Sequence, residues 1–581
     1  MNLNNQHKLV IYQIFTRLFS NQNITNKPWG SISENGTGKF NDINDAALTS
    51  LKTFGVTHLW YTGVIAHASL TDYSQYGIRP YHPLIVKGKA GSPYAIRDYY
   101  DVDPDLAVNV ALRMREFEEL LERTKKNNLK TIIDFVPNHV ARSYCSQARP
   151  EGVRDFGQDD DPTKAFDPKN NFYYIPSQEF VVPEGPAPAI PITGPYVESP
   201  AKATGNDVFN AHPSVYDWYE TVKLNYGVDY LNQQKKHFDP IPSTWDKMYD
   251  ILAYWTDKGV DGFRCDMAEM VPVEFWGWVI PKVKMLNPEI IFIAEIYNPA
   301  AYHTYIFQGH FDYLYDKVGL YNTLRPLMEG HGDAREITQL WQNESGDIAH
   351  HMLRFLENHD EQRIASEFFA GDPWVAVPAI TLSATLHTGP FMLYAGQELG
   401  VNPTENEGFQ GKDGRSTIFD YWGIPEMQEW INGGKYNLEK LNAPVRKLRD
   451  FYANLNQLIL NHEAIYAGEF YDLQYVNGFG QSPNYDERKL FSYLRYTQNE
   501  KLLFVINFDR AKTFNTLVKI PDHAWFENMK LENPEKYRLK SIFPLEAMRS
   551  EIPASGITVQ GLTLTLKPLD VWVLRIEDVK A

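Results

Sequence analysis

Eight short apolar runs, most of them followed by an amphipathic stretch, constrain this chain more than any other feature of its sequence. They are Val10–Phe15, Thr57–Gly63, Lys130–Phe135, Gly259–Met267, Ile290–Tyr297, Phe311–Asp316, Met352–Asn358 and Pro390–Ala395. Runs of this length suit strands buried on both faces, and the stretches between them read as helices. Leu112–Lys126 is one example, with Leu112, Phe117, Leu120 and Leu121 on one side; Trp245–Asp257 is another. Eight strands alternating with helices predict a parallel (β/α)8 TIM barrel, an α/β fold.

The rhythm breaks once. Roughly 100 residues separate the third strand from the helix before the fourth, too many for a simple connection. They hold the acidic run Asp159–Asp161, read as a solvated turn, and a proline-rich stretch from Pro183 to Pro200. The whole connection reads as a small inserted domain over the barrel mouth; its proline content alone equally suits a surface loop. After a long helical pattern over Ala443–Asn461, apolar residues recur with period two at 490–497, 501–508 and 569–576. That pattern predicts an antiparallel β domain. The expected organisation is a barrel in two parts, 1–139 and 238–464, an inserted domain at 140–237, and a C-terminal β-sandwich domain at 465–581.

Composition narrows the partners. The net charge is −17, which repels phosphate backbones and anionic membranes, so neither nucleic acid nor a membrane is expected. Two cysteines, Cys145 and Cys265, build neither a disulfide framework nor a zinc site. Cys265 alternates away from the barrel mouth and reads as packing. No apolar stretch reaches membrane-spanning length, and residues 1–19 lack a secretion signal, so a cytoplasmic location is expected. The oligomeric state is left open.

In such a barrel the chemistry sits where the strands end at their C-terminal side. The third run ends DFVPNH, with Asp134, Asn138 and His139; the fourth ends GFRCDMAE, with Arg264, Asp266 and Glu269. The fifth ends IAEIY, with Glu295, and the seventh ends FLENHDEQR, with His359 and Asp360. Residues two apart on a strand share a face, so Arg264 and Asp266 point together into the mouth, where the arginine keeps the carboxylate charged. Glu295 leaves an apolar run, and desolvation raises a carboxyl pKa. Two carboxyls in opposite protonation states are what cleavage of a glycosidic bond requires.

Over residues 8–462 the chain resembles the α-amylase family of glycoside hydrolases (family 13), and the β region after it resembles that family's C-terminal domain. The four strand-end segments stand in the family's order. By that resemblance Asp266 would be the nucleophile, Glu295 the general acid and then base, and Asp360 a carboxylate that binds substrate hydroxyls. Tyr94, in GSPYAIRDYYDVDP, would be an aromatic platform under the sugar, with Asp98 in support. Arg264 would orient Asp266, His139 and His359 would bind hydroxyls, and Asp134 and Glu269 would join them around the substrate. Asn138 would be a candidate ligand of a structural calcium ion, with no cofactor needed for the chemistry. Ala268 and Glu269 follow the nucleophile where many starch-cutting amylases carry a Lys-His pair, which is more similar to the cyclomaltodextrinase and neopullulanase group. The implied activity is retaining hydrolysis of α-1,4 bonds in maltodextrins or related α-glucans through a covalent glycosyl-enzyme. A transglycosylase or glucosyl isomerase would use the same carboxylates, and a glucan-binding protein without activity is a third reading.

Overall fold

The structure, a computed structural model, describes residues 8–184, 192, 194–531, 537–552 and 556–578. Part of the proline-rich stretch, 185–191 and 193, lies outside the described residues. The eight apolar runs form β1 (Val10–Phe15), β2 (His58–Thr62), β3 (Lys130–Phe135), β4 (Gly262–Cys265), β5 (Ile291–Ala294), β6 (Tyr313–Tyr315), β7 (Met352–Leu353) and β8 (Phe391–Tyr394). All pair in parallel, in the order β7-β6-β5-β4-β3-β2-β1-β8. A parallel bridge between Arg354, just past β7, and Phe391 of β8 closes the ring. The expected barrel is the observed one.

Alternation along each strand divides the core in two. Ile11, Trp60, Ile132, Ile293, Tyr315, Leu353 and Met392 face inward and fill the barrel. Their neighbours, including Tyr12, Leu59, Ile133, Phe263, Phe292 and Leu393, face outward under the helices. The helices include Asp45–Thr53, Arg113–Lys126, Ser243–Asp257, Val273–Leu286, Ala376–Thr385 and Ala443–Asn461. Asn44 and Asn442 cap the first and last of these by accepting from Ala47 and Val445 N–H groups, which satisfies donors that a helix start leaves unpaired. Several strands are shorter than the apolar runs that predict them. The fourth run ends its ladder at Cys265 and the fifth at Ala294, because the chain leaves the barrel there to place polar side chains on the rim.

Between β3 and β4 the chain forms short ribbons. The first, His139–Ala141 against Thr221–Lys223, rises directly from the rim; Tyr174–Ile175 pairs with Ala201–Lys202, and Val228–Asp229 with Lys235–Lys236. Within the acidic run, Asp160 accepts from the Asn171 and Phe172 N–H groups and the Tyr174 hydroxyl. It organises a turn, whereas Asp159 and Asp161 sit in exposed contacts with Arg154, Thr163 and Lys164.

Beyond the barrel, six strands form an antiparallel sheet in the order Glu469–Asp472, Leu490–Tyr496, Lys501–Asn507, Val571–Asp578, Tyr537–Phe543, Leu545–Ile552. The three period-two segments of the sequence are adjacent strands at its centre. A second pair, Phe514–Val518 with Leu562–Leu566, shares a buried core with that sheet through Phe514, Leu564, Leu494, Leu503 and Leu574. Among the described residues no helix is long and apolar enough to cross a membrane.

One side chain fastens the β region to the barrel. Arg495, fully buried, donates to the carbonyls of Leu386 (2.7 Å), Ala464 (3.0 Å), Ile465 (2.9 Å) and Gly468 (2.6 Å). The Leu386 carbonyl lies at the C-terminal end of the helix Ala376–Thr385, where orphan acceptors and the helix dipole favour a cation. Burial lowers the Arg495 pKa to about 10, so it remains charged at neutral pH. Replacing Arg495 by Met should strand four carbonyls and cost about 3 kcal/mol or more. Denaturant unfolding of the full chain, following the barrel and β signals separately, would show this as early loosening of the β region; unchanged unfolding would remove Arg495 from this role.

Candidate active site

The rim of the barrel is organised around Arg264. Its guanidinium is fully buried, and burying an unpaired charge is very costly. Three neighbouring strands answer that cost. From its own strand end, Asp266 Oδ1 accepts from Nη1 at 2.8 Å. Glu295, just past β5, places Oε2 2.7 Å from Nη2. Asp134 of β3, Arg264's ladder partner, stands 3.5 Å from Nη1 and also accepts from Trp60 Nε1 at 3.1 Å. The Tyr315 hydroxyl receives Nε at 3.1 Å, and the guanidinium lies over the rings of Trp60 (5.3 Å), Tyr94 (5.5 Å) and Tyr315 (5.4 Å).

One guanidinium facing three carboxyls does not neutralise them all. Burial lifts the Asp266 pKa well above its ordinary value, the facing Glu295 charge adds to that, and Arg264 works against both. The cluster therefore retains a proton at a pH where exposed carboxyls have lost theirs. The two carboxyls have different surroundings. Glu295 Oε1 accepts from the Tyr297 hydroxyl (2.7 Å), and Oε2 accepts from the Met267 N–H (2.8 Å). Met267 adopts a left-handed backbone, φ 43°, uncommon for a residue with a side chain, and this aims its N–H at Glu295. Asp266 Oδ2 is buried and accepts no hydrogen bond. Both carboxyls line a cavity of about 410 Å³ at the barrel mouth.

A second group completes the floor. Gln13 of β1, itself bonded to Thr62, places Nε2 2.8 Å from His359 Nδ1. His359 Nε2 meets the Tyr94 hydroxyl and Asp360 Oδ2, the latter at 3.0 Å. Burial opposes the Asp360 charge, but His359, with help from Arg264 and Arg415, holds its pKa down at about 2. His139 is neutral: burial lowers its pKa to about 3, aided by Lys223 and Lys87. Its ring lies 5.2 Å from that of Trp218.

The loop carrying Tyr94 is held against the loop after β8. The Gly88 and Gly91 backbones, φ 66° and 72°, pass so close to their neighbours that a Cβ would stand 2.2 Å from the Phe419 carbonyl oxygen and 1.7 Å from that of Ala68. Arg17 ties the two loops by donating to the Ala90 and Ile418 carbonyls at 2.9 and 3.1 Å.

Of the residues expected around a substrate, Tyr94, His139, Asp266, Glu295 and Asp360 line the cavity. Arg264, Asp134 and His359 support it from below. Two lie elsewhere. Glu269 accepts from the Tyr297 and Asn298 N–H groups, both at 3.2 Å, so it braces the loop after β5 and is absent from the cavity wall. Asp98 accepts from Ser146 Oγ and the N–H groups of Tyr100, Gln147 and Ala148, anchoring the chain that leaves the barrel. The sequence reading missed Gln13, Trp60, Tyr297, Lys87, Trp218 and Glu220. Gln13 was detectable as the lone polar residue in VIYQIF, and Tyr297 as the residue that ends the fifth apolar run two positions after Glu295. Nothing local marked Lys87, Trp218 or Glu220.

Comparison with known proteins agrees with this geometry. The family model described as alpha amylase, catalytic domain, matches residues 13–425. An α-amylase of Dictyoglomus thermophilum is 23% identical over 548 residues, covering 90% of each chain. A neopullulanase of Thermoactinomyces vulgaris is 21% identical over 405 residues, 68% of this chain and 56% of that one. A crystal structure of a maltogenic α-amylase from Thermotoga neapolitana superposes with a TM-score of 0.61 at 20% identity, covering 100% of both chains.

The expected calcium ligand has another partner. The Asn138 side-chain oxygen accepts from the buried ammonium of Lys223 at 2.8 Å, and its amide donates to the Gly205 carbonyl at 2.7 Å. Lys223 also pairs with Asp207 at 2.5 Å and lies 5.1 Å over the Tyr230 ring. A calcium ion needs six to eight oxygen ligands, whereas this cluster contains a cation of its own. Among the described residues no group of three or more His, Cys, Asp or Glu side chains could hold a metal. The donor set does not fit calcium, and Lys223 supplies the charge at that position. With Lys223 in place of an ion at Asn138, excess EDTA or calcium should shift the melting temperature by less than about 1 °C. Lys223→Met should cost about 1–3 kcal/mol by stranding Asn138 and Asp207. A melting temperature that falls with EDTA and recovers with calcium would reverse this assignment.

Proposed function

Because the chain belongs to the α-amylase family, shown by the catalytic-domain match over residues 13–425, we propose that it hydrolyses α-1,4-glucosidic bonds in maltodextrins or related short α-glucans with retention of configuration. The observation that carries this reading is Asp266 Oδ2. It is a buried carboxylate oxygen that accepts no hydrogen bond and belongs to a residue lining the cavity. Its partner Oδ1 is held on Arg264, so the side chain cannot swing to satisfy Oδ2 elsewhere.

The reaction follows from the arrangement. Asp266 Oδ2 attacks the anomeric carbon while Glu295 gives a proton to the leaving glycosidic oxygen. A covalent glycosyl ester on Asp266 results. Water enters, Glu295 takes its proton, and the ester is cleaved. Both carboxyls contact one guanidinium, on Nη1 and Nη2, which holds them near each other, and a double displacement needs its two carboxyls close together. Inverting enzymes leave room for a water between their carboxyls. Asp360, kept charged by His359, is suited to accept from two sugar hydroxyls, and Tyr94 offers its ring to a sugar face. The likeness to a neopullulanase supports short or cyclic α-glucans as substrates. The two cysteines, both free, favour the cytoplasm.

Purified protein incubated with maltoheptaose should yield only shorter sugars. Products longer than the substrate would show that a sugar intercepts the ester in place of water. Asp266→Asn and Glu295→Gln should each lower kcat by about 10³-fold or more without unfolding the chain; activity near the native level would end this assignment. Attack requires ionised Asp266, whose pKa is raised, so kcat/KM should fall on the acid side at a pH above the ordinary carboxylate range. Asp360→Asn should weaken activity without moving that limb, because Asp360 remains charged through it.

A further inference from the structure

The cavity contains an ion pair that the hydrolysis just described does not use. Lys87, on the loop that leads to Tyr94, and Glu220, beside the ribbon that rises from His139, both line it. Their charged groups are 2.9 Å apart and almost fully buried, with side-chain exposures of 11% and 6%. The ammonium also donates to the Asp217 carbonyl at 3.3 Å and lies 5.2 Å over the Tyr219 ring. A buried pair of this kind is seldom worth more to stability than apolar packing of the same size. Its hydrogen-bonding capacity is also only partly spent. An ammonium has three donors and a carboxylate about four acceptor positions, while Glu220 Oε2 has no hydrogen bond of good geometry.

The position of the pair follows from the ribbon. His139 opens it at the rim, Ala141 pairs with Thr221, and the Glu220 carbonyl then accepts from Arg142 N–H at 2.8 Å. The ribbon thus leads from His139 to Glu220. Glu295 and Tyr297 follow β5, while Lys87 and Glu220 come from the connections after β2 and β3, on the other side of Asp266 at the end of β4. Glu295 protonates the leaving oxygen, so the departing part of the substrate lies on its side, and the opposite wall faces the sugars that stay on the enzyme. That wall cannot easily give way, because the Gly88 backbone beside Lys87 is in contact with Phe419.

We propose that Lys87 and Glu220 close the cavity on the non-reducing side and read the free hydroxyls of the substrate's terminal sugar. A neighbouring hydroxyl pair matches both charges, since one oxygen accepts from the ammonium and the other hydroxyl donates to the carboxylate. The enzyme then acts from the chain end and releases a short sugar of fixed length. This rests on the glucan hydrolase reading above and adds where the substrate must end.

The test uses the full chain and 4-nitrophenyl α-maltoheptaoside, either free or with the terminal 4- and 6-hydroxyls blocked as an ethylidene acetal. Early products are resolved by chromatography. The native protein should release one short sugar from the free substrate and cut the blocked one about 100-fold more slowly, as expected when buried polar groups lose their partner. In Lys87→Met/Glu220→Gln, with folding checked by circular dichroism, that ratio should fall to about ten or less and the products should spread in length. Equal cutting of both substrates by the native protein overturns the proposal. So does a double variant that is folded and keeps the native ratio. If the free substrate is not cut at all, the hydrolase reading fails and this one falls with it.

Discussion

A buried guanidinium at the centre of a ring of strands is the constraint on which the rest of this structure depends. Arg264 has no route to water, so its charge must be answered by carboxylates from neighbouring strands. Those carboxylates are in reach only when β3, β4 and β5 pair in their observed register. A one-residue slip would turn Asp134 outward among the helices and leave the arginine unanswered. Stability of the barrel mouth and assembly of the chemistry are thus one requirement. The same requirement separates the roles of the two central carboxyls. Glu295 accepts from the Met267 N–H and the Tyr297 hydroxyl, whereas Asp266 keeps one oxygen without a partner.

Around this centre, the parts of the chain outside the barrel supply the walls. The long connection between β3 and β4 returns to the rim as a ribbon that carries His139 at its base, with Trp218 and Glu220 at the far end. Lys223 stabilises the base of that ribbon from within, using an ammonium as the cation for Asn138 and Asp207. The loop after β8 closes the other side with Ile418 and Phe419, held by Arg17. Glu269 shows the same economy: a carboxylate next to the chemistry, it serves by bracing the backbone that presents Tyr297. Each of these contacts joins residues far apart in the chain.

How much of this was legible beforehand varies with the range of the interaction. The barrel was readable because each strand announces itself locally, as an apolar run with a helix behind it. The catalytic carboxylates were readable because they end those runs, and a family motif is a local string. Gln13 and Tyr297 were within reach of the same reasoning. Gln13 interrupts an apolar run, and Tyr297 closes the fifth run two residues after Glu295, but what each of them contacts is set by tertiary packing. Lys87, Trp218 and Glu220 lie in segments with no period to interpret, and their meaning arises only where two loops meet. Asn138 was misjudged for the same reason: its motif position suggested a cation, and the cation is a lysine 85 residues later.

The sequence by itself determined the eightfold alternation, the antiparallel β region after it, and the acidic residues at the strand ends, because these follow from periodicity and from order along the chain. The tertiary structure decided which oxygen of Asp266 is free, which partners the two nitrogens of His359 meet, and what stands at the far wall of the cavity. Those are properties of burial and of distance in space. They exist only after the ring has closed and the loops from β2, β3 and β8 have met above it.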